Sequence, residues 1–178
     1  MTIEYYVFAN AAGQITGSGS TADGTIPEGA IICTQSQAAN PLAYAIAGGG
    51  VVEASDAQLL EQARAAQISI INAAYAAAVM EPVSFKTAEG TTESFQADPG
   101  SQLVLMQATQ GYTLAGSVPA GFYWVAVNNT QVPFTLADLS ALYQAMLDRG
   151  WAAFQHKQSL KAQIAAAATV AAVQAISW

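Results

Sequence analysis

The sequence predicts an α+β fold in which a small β-rich part comes first, a central helix follows, and a β-hairpin and helix unit ends in an Ala-rich helical region. Short apolar runs separated by Gly, Asn and Ser turns fill the first fifty residues, as in β-rich segments. Two long stretches without Pro begin with helix-capping signals. These patterns predict a β-rich domain over 1–53, a connecting helix over 54–81 and an α+β domain over 82–178.

The first fifty residues contain several strand signals. Residues 3–8 and 14–17 flank a polar turn and predict a β-hairpin. The segment 17–29 is rich in Gly, Ser, Thr and Asp, which predicts an exposed loop. Further strands are predicted over 30–34, 44–47 and 51–53. The three glycines 48–50 lack the Lys and Gly spacing of a phosphate loop, so they indicate a turn or linker.

Ser55 and Gln58 have the spacing of a capping box and start the central helix, which should end near Met80, before Pro82. Its apolar face includes Leu60, Ile71 and Tyr75. Small residues beside this face allow a close approach of another helix. Packing within the chain and packing against further copies of it both fit this pattern, and the second predicts a homo-oligomer.

Two elements are predicted next along the chain. Residues 83–87 and 91–95 alternate about a Gly turn and predict a second hairpin. Asp98 as N-cap and Pro99 at the first helical position predict a helix that ends near Gly111.

The remaining third is an aromatic strand, 121–127, followed by a polar turn, a short strand and a helix that starts at Thr135 with a capping box to Asp138. Gly150 should bend this helix or lie at a tight crossing. The chain ends in two Ala-rich helical segments, 159–168 and 170–176, with Thr169 as N-cap between them.

The charge pattern disfavours some functions. The formal net charge is −7, and no Lys or Arg occurs before Arg64, so we expect no nucleic-acid binding, which needs clustered positive charge. The positive charges near the C-terminus suggest contacts with the acidic front, either within the chain or between copies. The most apolar window, 164–176, is shorter than the roughly 20 residues of a membrane span, and no signal peptide is recognisable, so we expect no membrane insertion.

Few residues suggest chemistry. His156, the one histidine, has no Ser or Cys nucleophile motif beside it, and its position suggests a surface or interface role. Cys33 lies in an apolar run typical of a buried small side chain. Asp98, Asp138 and Asp148 are explained as caps or surface residues. We therefore predict no enzyme activity, no metal and no cofactor.

Aromatic residues are dense in the last third, and two interpretations fit them. Strand and helix periodicity favours a hydrophobic core for most, whereas exposed members would form a platform for a partner or a carbohydrate. Trp178 is expected to dock on the protein. The interface candidates are Leu60, Ile71, Tyr75, Trp124, Trp151 and Trp178.

Four segments in order resemble an uncharacterised C-terminal domain of tailed-bacteriophage tail and tail-fibre-associated proteins. They are Phe95–Asp98, Gly121–Trp124, Asn128–Leu139 and Lys161–Ala167 with Ile176–Trp178. The resemblance spans roughly 83–178. The N-terminal half is more loosely similar to phage tail-fibre assembly proteins. Where the family often has Asp-Asn-Thr, this chain has Asn128-Asn129-Thr130, which keeps a turn but removes a charge that an ion would need.

The resemblance implies a non-enzymatic tail or tail-fibre-associated protein that mediates assembly, made in the host cytoplasm and located in the virion. Its implied partners are tail-fibre or other tail proteins, and it has no known catalytic residues. Three alternatives stay open: an assembly chaperone absent from the virion, a receptor-binding module that uses the 17–29 loop, and an enzyme that acts on surface glycan.

Overall fold

The structure is a computed structural model that describes residues 3–178. Helices make up 49% and strands 22%, in five α-helices and four small antiparallel sheets among these residues, so the predicted α+β class is confirmed. Contacts divide the chain into two compact units. The N-terminal unit contains residues up to Gln67 with Ile164–Ile176, and the C-terminal unit contains Ile68–Gln163 with Ser177–Trp178. This division falls inside the two long helices, not at the predicted boundaries of 53 and 81.

The N-terminal unit begins with two small sheets. Its elements are β1 (Glu4–Ala9), β2 (Ile15–Thr21), β3 (Ile31–Cys33), helix α1 (Gln35–Ala39), a 3₁₀ turn (Pro41–Ala43), β4 (Tyr44–Ala47) and β5 (Gly50–Glu53). The first sheet has the order β2-β1-β3, and β4 pairs with β5. The hairpin and the further strands predicted here are confirmed. Gly48 and Gly49 adopt positive φ angles of 60° and 82° between β4 and β5, as a tight turn requires.

One prediction for this unit was wrong, and one short helix was missed. The predicted loop 17–29 is partly strand, because β2 continues to Thr21 with Ser18 opposite Val7 and Ser20 opposite Tyr5. Backbone pairing compensates for the low strand propensity of the Gly and Ser residues. Helix α1 was not predicted, although Thr34 and Gln37 form a complete capping box at its start.

Helix α2 (Asp56–Met80) starts as predicted. The Gln58 amide donates to Ser55 Oγ at 3.3 Å, and the Ser55 amide donates to Gln58 Oε1 at 2.9 Å. Farther along α2, Arg64 forms an ion pair with Glu61 one turn earlier, the one ion pair among residues 3–178. Arg64 also donates to the Ala167 carbonyl at 2.8 Å, so it satisfies a backbone group that follows a helix end.

The C-terminal unit combines two hairpins with α3 and parts of the two long helices. Its elements are the second part of α2, then β6 (Val83–Lys86), β7 (Thr92–Phe95), α3 (Pro99–Ala115), β8 (Tyr123–Val125), β9 (Gln131–Pro133) and the greater part of α4 (Leu136–Ala166). The start of α3 is as predicted, since the Asp98 carboxylate accepts from the amides of Gly100 and Ser101. Its end is not: the helix passes through Gly111 and stops at Gly116.

Helix α4 is longer than predicted. It runs without interruption through Gly150 and includes 159–166, which the sequence suggested as a separate segment. A Cβ added at Gly150 would meet no atom within 4 Å, so the predicted tight crossing is wrong. The short helix α5 (Val170–Gln174) has the predicted cap, with the Ala172 amide donating to Thr169 Oγ1 at 3.1 Å.

One hydrophobic cluster fills the C-terminal unit. Hairpins and helices both contribute to it, and its buried members are Val83, Phe95, Ala97, Leu105, Ala126, Val132, Phe134, Leu139, Leu142 and Met146. The rings of Phe95 and Phe134 meet edge to face with 5.2 Å between centroids. Within residues 3–178, no helix has the length and apolarity that crossing a membrane requires.

Candidate protein-binding surface

The residues with possible catalytic chemistry are isolated. His156 is exposed on α4, and its ring packs edge to face against Trp178 at 4.8 Å between centroids. Cys33 is half-buried, and burial raises the pKa of its thiol. In the part of the chain that the structure describes, no group of three His, Cys, Asp or Glu side chains is placed to hold a metal ion. The absence of enzyme activity stays a prediction.

The predicted interface residues lie in different surroundings. Ile71 is fully buried, so it is a core residue of this chain and offers no surface to a partner. Trp124 is half-buried and packs against the hydrophobic cluster beside Phe122 and Phe134. Leu60 is half-buried in the N-terminal unit, where it lines a small cavity of about 270 Å³ near Thr169.

The other three candidates come together on the C-terminal unit. Tyr75, Trp151 and Trp178 lie beside Phe154 and Lys157, and we call these five residues the aromatic patch. The Tyr75 and Trp178 rings meet at 6.3 Å between centroids and 62° between planes. Trp151 and Phe154 stack at 5.7 Å and 17°.

Lys157 links the rings of the aromatic patch. Its Nζ lies 3.7 Å from the centroid of the Tyr75 ring and 5.1 Å from that of Phe154. An ammonium over an aromatic face is attracted by the ring quadrupole, with a gain of roughly 0.5–1 kcal/mol at exposed sites. The Lys157 side chain therefore lies between two of the rings of the aromatic patch.

Helical spacing presents these side chains on one face. Trp151, Phe154 and Lys157 follow one another at three-residue intervals on α4, so they are neighbours on its surface. Trp151 is 60% exposed. Beside it is an open cavity of about 410 Å³, lined by Tyr75, Gln102, Met146, Leu147, Gly150, Trp151 and Phe154.

Arg149 fixes the end of α2 next to the aromatic patch. Its guanidinium donates to the Val79 carbonyl at 2.9 Å and to the Glu81 carbonyl, which are backbone groups that the end of a helix leaves without partners. Burial lowers the pKa of Arg149, and the nearby Glu81 charge opposes that shift. Gln102 also donates to the Val79 carbonyl, at 3.3 Å. This part of α2 carries Tyr75.

The predicted docking of Trp178 is confirmed. Its ring contacts Tyr75 on α2 and His156 on α4, and 39% of the residue stays exposed. The tail thus covers part of the aromatic patch and leaves an accessible indole surface.

Of the aromatic patch, Phe154 belonged to the dense aromatic group of the last third but was not among the interface candidates, and Lys157 was missed altogether. The three-residue spacing from Trp151 to Lys157 was a usable signal, since it puts these side chains on one helix face. Tyr75 was identified from the pattern of α2 alone. Its approach to Lys157 brings together residues 82 positions apart, which no local pattern encodes.

Residues 62–177 match a protein-family model described as a domain of unknown function, DUF4376. This match covers more than half of the chain. The chain belongs to the DUF4376 family. No curated protein and no solved structure matched it.

The DUF4376 segment begins inside α2, whereas the sequence resemblance began at about residue 83. It therefore includes the part of α2 that carries Tyr75. It also includes Trp151, Phe154 and Lys157, and it ends one residue before Trp178. The aromatic patch is thus built almost entirely from the DUF4376 segment.

Proposed function

We propose that this DUF4376 protein is a non-enzymatic component of a bacteriophage tail or tail fibre that joins other proteins through direct contacts. The aromatic patch is the observation that carries the binding role. The sequence resemblance to tail and tail-fibre-associated proteins supplies the phage setting. Assembly of a tail requires surfaces of this kind, which bind by shape and apolar contact.

The composition of the aromatic patch favours a protein partner. Trp and Tyr are enriched among the residues that dominate binding energy at protein interfaces. An exposed Trp stacked on Phe leaves apolar area in water, and covering it on binding contributes about 25 cal/mol per Å². The partners we propose are a tail-fibre or other tail protein, with further copies of this chain forming a homo-oligomer.

The proposed location is the virion, after synthesis in the host cytoplasm. A tail-fibre assembly chaperone is the alternative, because a surface that binds fibre proteins also suits a factor that releases them. Quantitative mass spectrometry of purified particles distinguishes the two. Stoichiometric presence supports a virion component, whereas absence from particles of a phage that expresses the protein overturns that part of the proposal.

A substitution at the aromatic patch tests the binding role. Trp151→Ala removes the exposed indole, and Leu114→Ala on α3 is the matched control, since Leu114 is also exposed and lies outside the patch. We expect Trp151→Ala to weaken binding to the tail-fibre protein of the same phage by about 30-fold, the effect of a residue worth about 2 kcal/mol. Calorimetric titration measures it. Equal affinities for the wild type and both variants would contradict the proposal.

A further inference from the structure

Strand β8 has one paired edge and one free edge. The Phe134 amide donates to the Phe122 carbonyl at 3.2 Å, and the Ala126 amide donates to the Thr130 carbonyl at 2.9 Å. In an antiparallel ladder, bonded pairs alternate with pairs that exchange no hydrogen bond. Tyr123 and Val125 are in the second kind of pair, opposite Pro133 and Gln131, so their backbone groups point away from β9.

In the described part of the chain, no other strand pairs with the free edge of β8 along Tyr123–Val125, and the nearest contact lies two residues past the end of the strand. Val127, the next residue with the same orientation, donates to the Ser94 carbonyl in β7 at 2.8 Å. Among residues 3–178, no backbone or side-chain group forms a hydrogen bond with the backbone N–H or C=O of Tyr123 or Val125 on this side. Two donors and two acceptors are therefore available along this edge.

A groove of about 600 Å³ lies along this edge. It is lined by residues of β8 and by the segment that leads from β7 into α3, namely Gln96, Asp98, Gly100, Ser101, Val104, Tyr123, Trp124 and Val125. Its volume is in the range of binding pockets for small ligands or short peptide segments. The groove shares no residue with the aromatic patch.

The two outer edges of the β8–β9 hairpin differ. On β9, Pro133 is at an outward-facing position and has no amide hydrogen to donate, a common protection of edge strands. On β8, the corresponding residues Tyr123 and Val125 keep their amides, and each residue is 45% exposed. Pro133 thus removes one donor from the outer edge of β9, whereas β8 keeps both of its outward-facing amides.

The charge of the groove favours a ligand with a positively charged side chain. Among the described residues that line it, Asp98 is the one with a charged side chain. One oxygen of its carboxylate accepts from two amides, and the other accepts from the Ser101 hydroxyl at 2.5 Å. A carboxylate has about four acceptor positions, so Asp98 can accept one further hydrogen bond.

We propose that the groove receives an extended peptide segment of a partner protein, which adds to β8 as a further strand. Backbone hydrogen bonds to Tyr123 and Val125 would hold the segment, and alternate side chains would contact Trp124 and Val104. A Lys or Arg of the segment would face Asp98. The three residues of β8 give a pairing length of roughly 10 Å, which suits a short motif.

Capped eight-residue peptides test strand addition. The probes have alternating Val and Thr residues, and each peptide carries a single Lys at a different position. A matched set carries Glu at the same positions. We expect some Lys peptides to bind and their Glu counterparts to bind about tenfold more weakly, because of Asp98. On binding, amide hydrogen exchange at Tyr123 and Val125 should slow. Failure of every peptide to bind overturns the proposal.

N-methylation of the peptides separates strand addition from side-chain docking. Methyl groups on alternate amides remove the hydrogen bonds of one edge and leave all side chains in place. Methylating the set that faces β8 should weaken binding by about tenfold or more, as expected from two lost hydrogen bonds, and methylating the other set should not. Equal effects of the two sets would overturn the proposal.

Two adjacent positions of α3 provide matched protein variants. Val104 lines the groove and is 54% exposed, whereas Leu103 is 49% exposed and does not line it. Val104→Trp should fill the groove and abolish peptide binding, while Leu103→Trp should leave it within about twofold of the wild type. Trp151→Ala should bind the peptides as tightly as the wild type, because Trp151 lies outside the groove. The peptide experiments therefore test the groove alone, and the titration with the tail-fibre protein tests the aromatic patch alone.

The other possible occupant of the free edge is a second copy of β8. Sedimentation equilibrium without peptide detects it. A dimer that Val104→Trp dissociates and Leu103→Trp does not would show that the edge pairs with itself, and would overturn the peptide proposal.

Discussion

Asp138 illustrates how one buried side chain joins two parts of the C-terminal unit. It is almost fully buried, and its carboxylate accepts from the Ala88 amide at 2.8 Å, the Thr135 amide at 2.9 Å and the Thr135 hydroxyl at 2.6 Å. Burial raises the pKa of this carboxyl, but the hydrogen bonds from Thr135 and Ala88 outweigh that effect, so its pKa lies below the ordinary value of an aspartate. The residue caps α4 and also holds the turn between β6 and β7.

The substitution Asp138→Asn should lower the free energy of unfolding by about 2–3 kcal/mol at neutral pH. Asn has one acceptor oxygen instead of two and no charge, so the hydrogen bonds weaken and either the Ala88 or the Thr135 amide is left without an acceptor. Denaturant unfolding measures the change. Asp148→Asn, at an exposed position of the same helix, is the control and should stay within about 0.5 kcal/mol of the wild type. A similar small change for both variants would show that the Asp138 carboxylate is not a stabilising cap.

The stability difference between the wild type and Asp138→Asn should also depend on pH. Since the folded-state pKa of Asp138 lies below its unfolded value, its stabilising contribution is fully present above the unfolded pKa and is lost as pH falls through the folded pKa. The difference in unfolding free energy between the wild type and Asp138→Asn should therefore be constant above about pH 5 and shrink as the pH falls below the ordinary aspartate pKa of about 3.9.

At the scale of elements, α3 shows what local signals decide. Asp98 and Pro99 determine its start, as the sequence predicted. Its end was predicted near Gly111, but Tyr112, the next residue, packs edge to face on Phe122 with 5.2 Å between ring centroids. This tertiary contact offsets the cost of a glycine inside a helix, which is about 1 kcal/mol relative to Ala. The helix therefore continues to Gly116, whose φ of 79° is left-handed.

Two glycine substitutions in α3 should have opposite effects. Gly111→Ala should raise the free energy of unfolding by about 0.5–1 kcal/mol, since its Cβ would meet no atom within 4 Å and Ala favours the helix. Gly116→Ala should lower it by about 1–2 kcal/mol, because the left-handed cap strains an L-residue. Thermal unfolding of both variants measures this. Signs reversed between the two positions would place the helix end at Gly111.

At the scale of the whole molecule, the two units differ in their cores. The C-terminal unit buries large side chains such as Phe95, Leu139 and Leu142 in one cluster. The buried apolar residues of the N-terminal unit are fewer and mostly smaller, namely Val7, Ala45, Ile164 and Val173. Because burial of apolar area dominates folding stability, the N-terminal sheets should open more easily.

Native-state hydrogen exchange tests this difference. We expect the amides of β1–β5 to exchange at least about tenfold faster than those of α3 and of the part of α4 in the C-terminal unit. Mass spectrometry of proteolytic fragments after deuterium labelling measures both sets in one sample. Equal protection across the two units would indicate that they open together.

The sequence by itself determined the α+β class and the starts of α2, α3, α4 and α5, because Ser55, Asp98, Thr135 and Thr169 act on amides only two or three residues away. It also determined the hairpins, whose turns are equally local. Only the tertiary structure decided how far the helices continue and which aromatic residues face water. Those outcomes depend on contacts between residues that are distant in the chain, such as Lys157 with Tyr75.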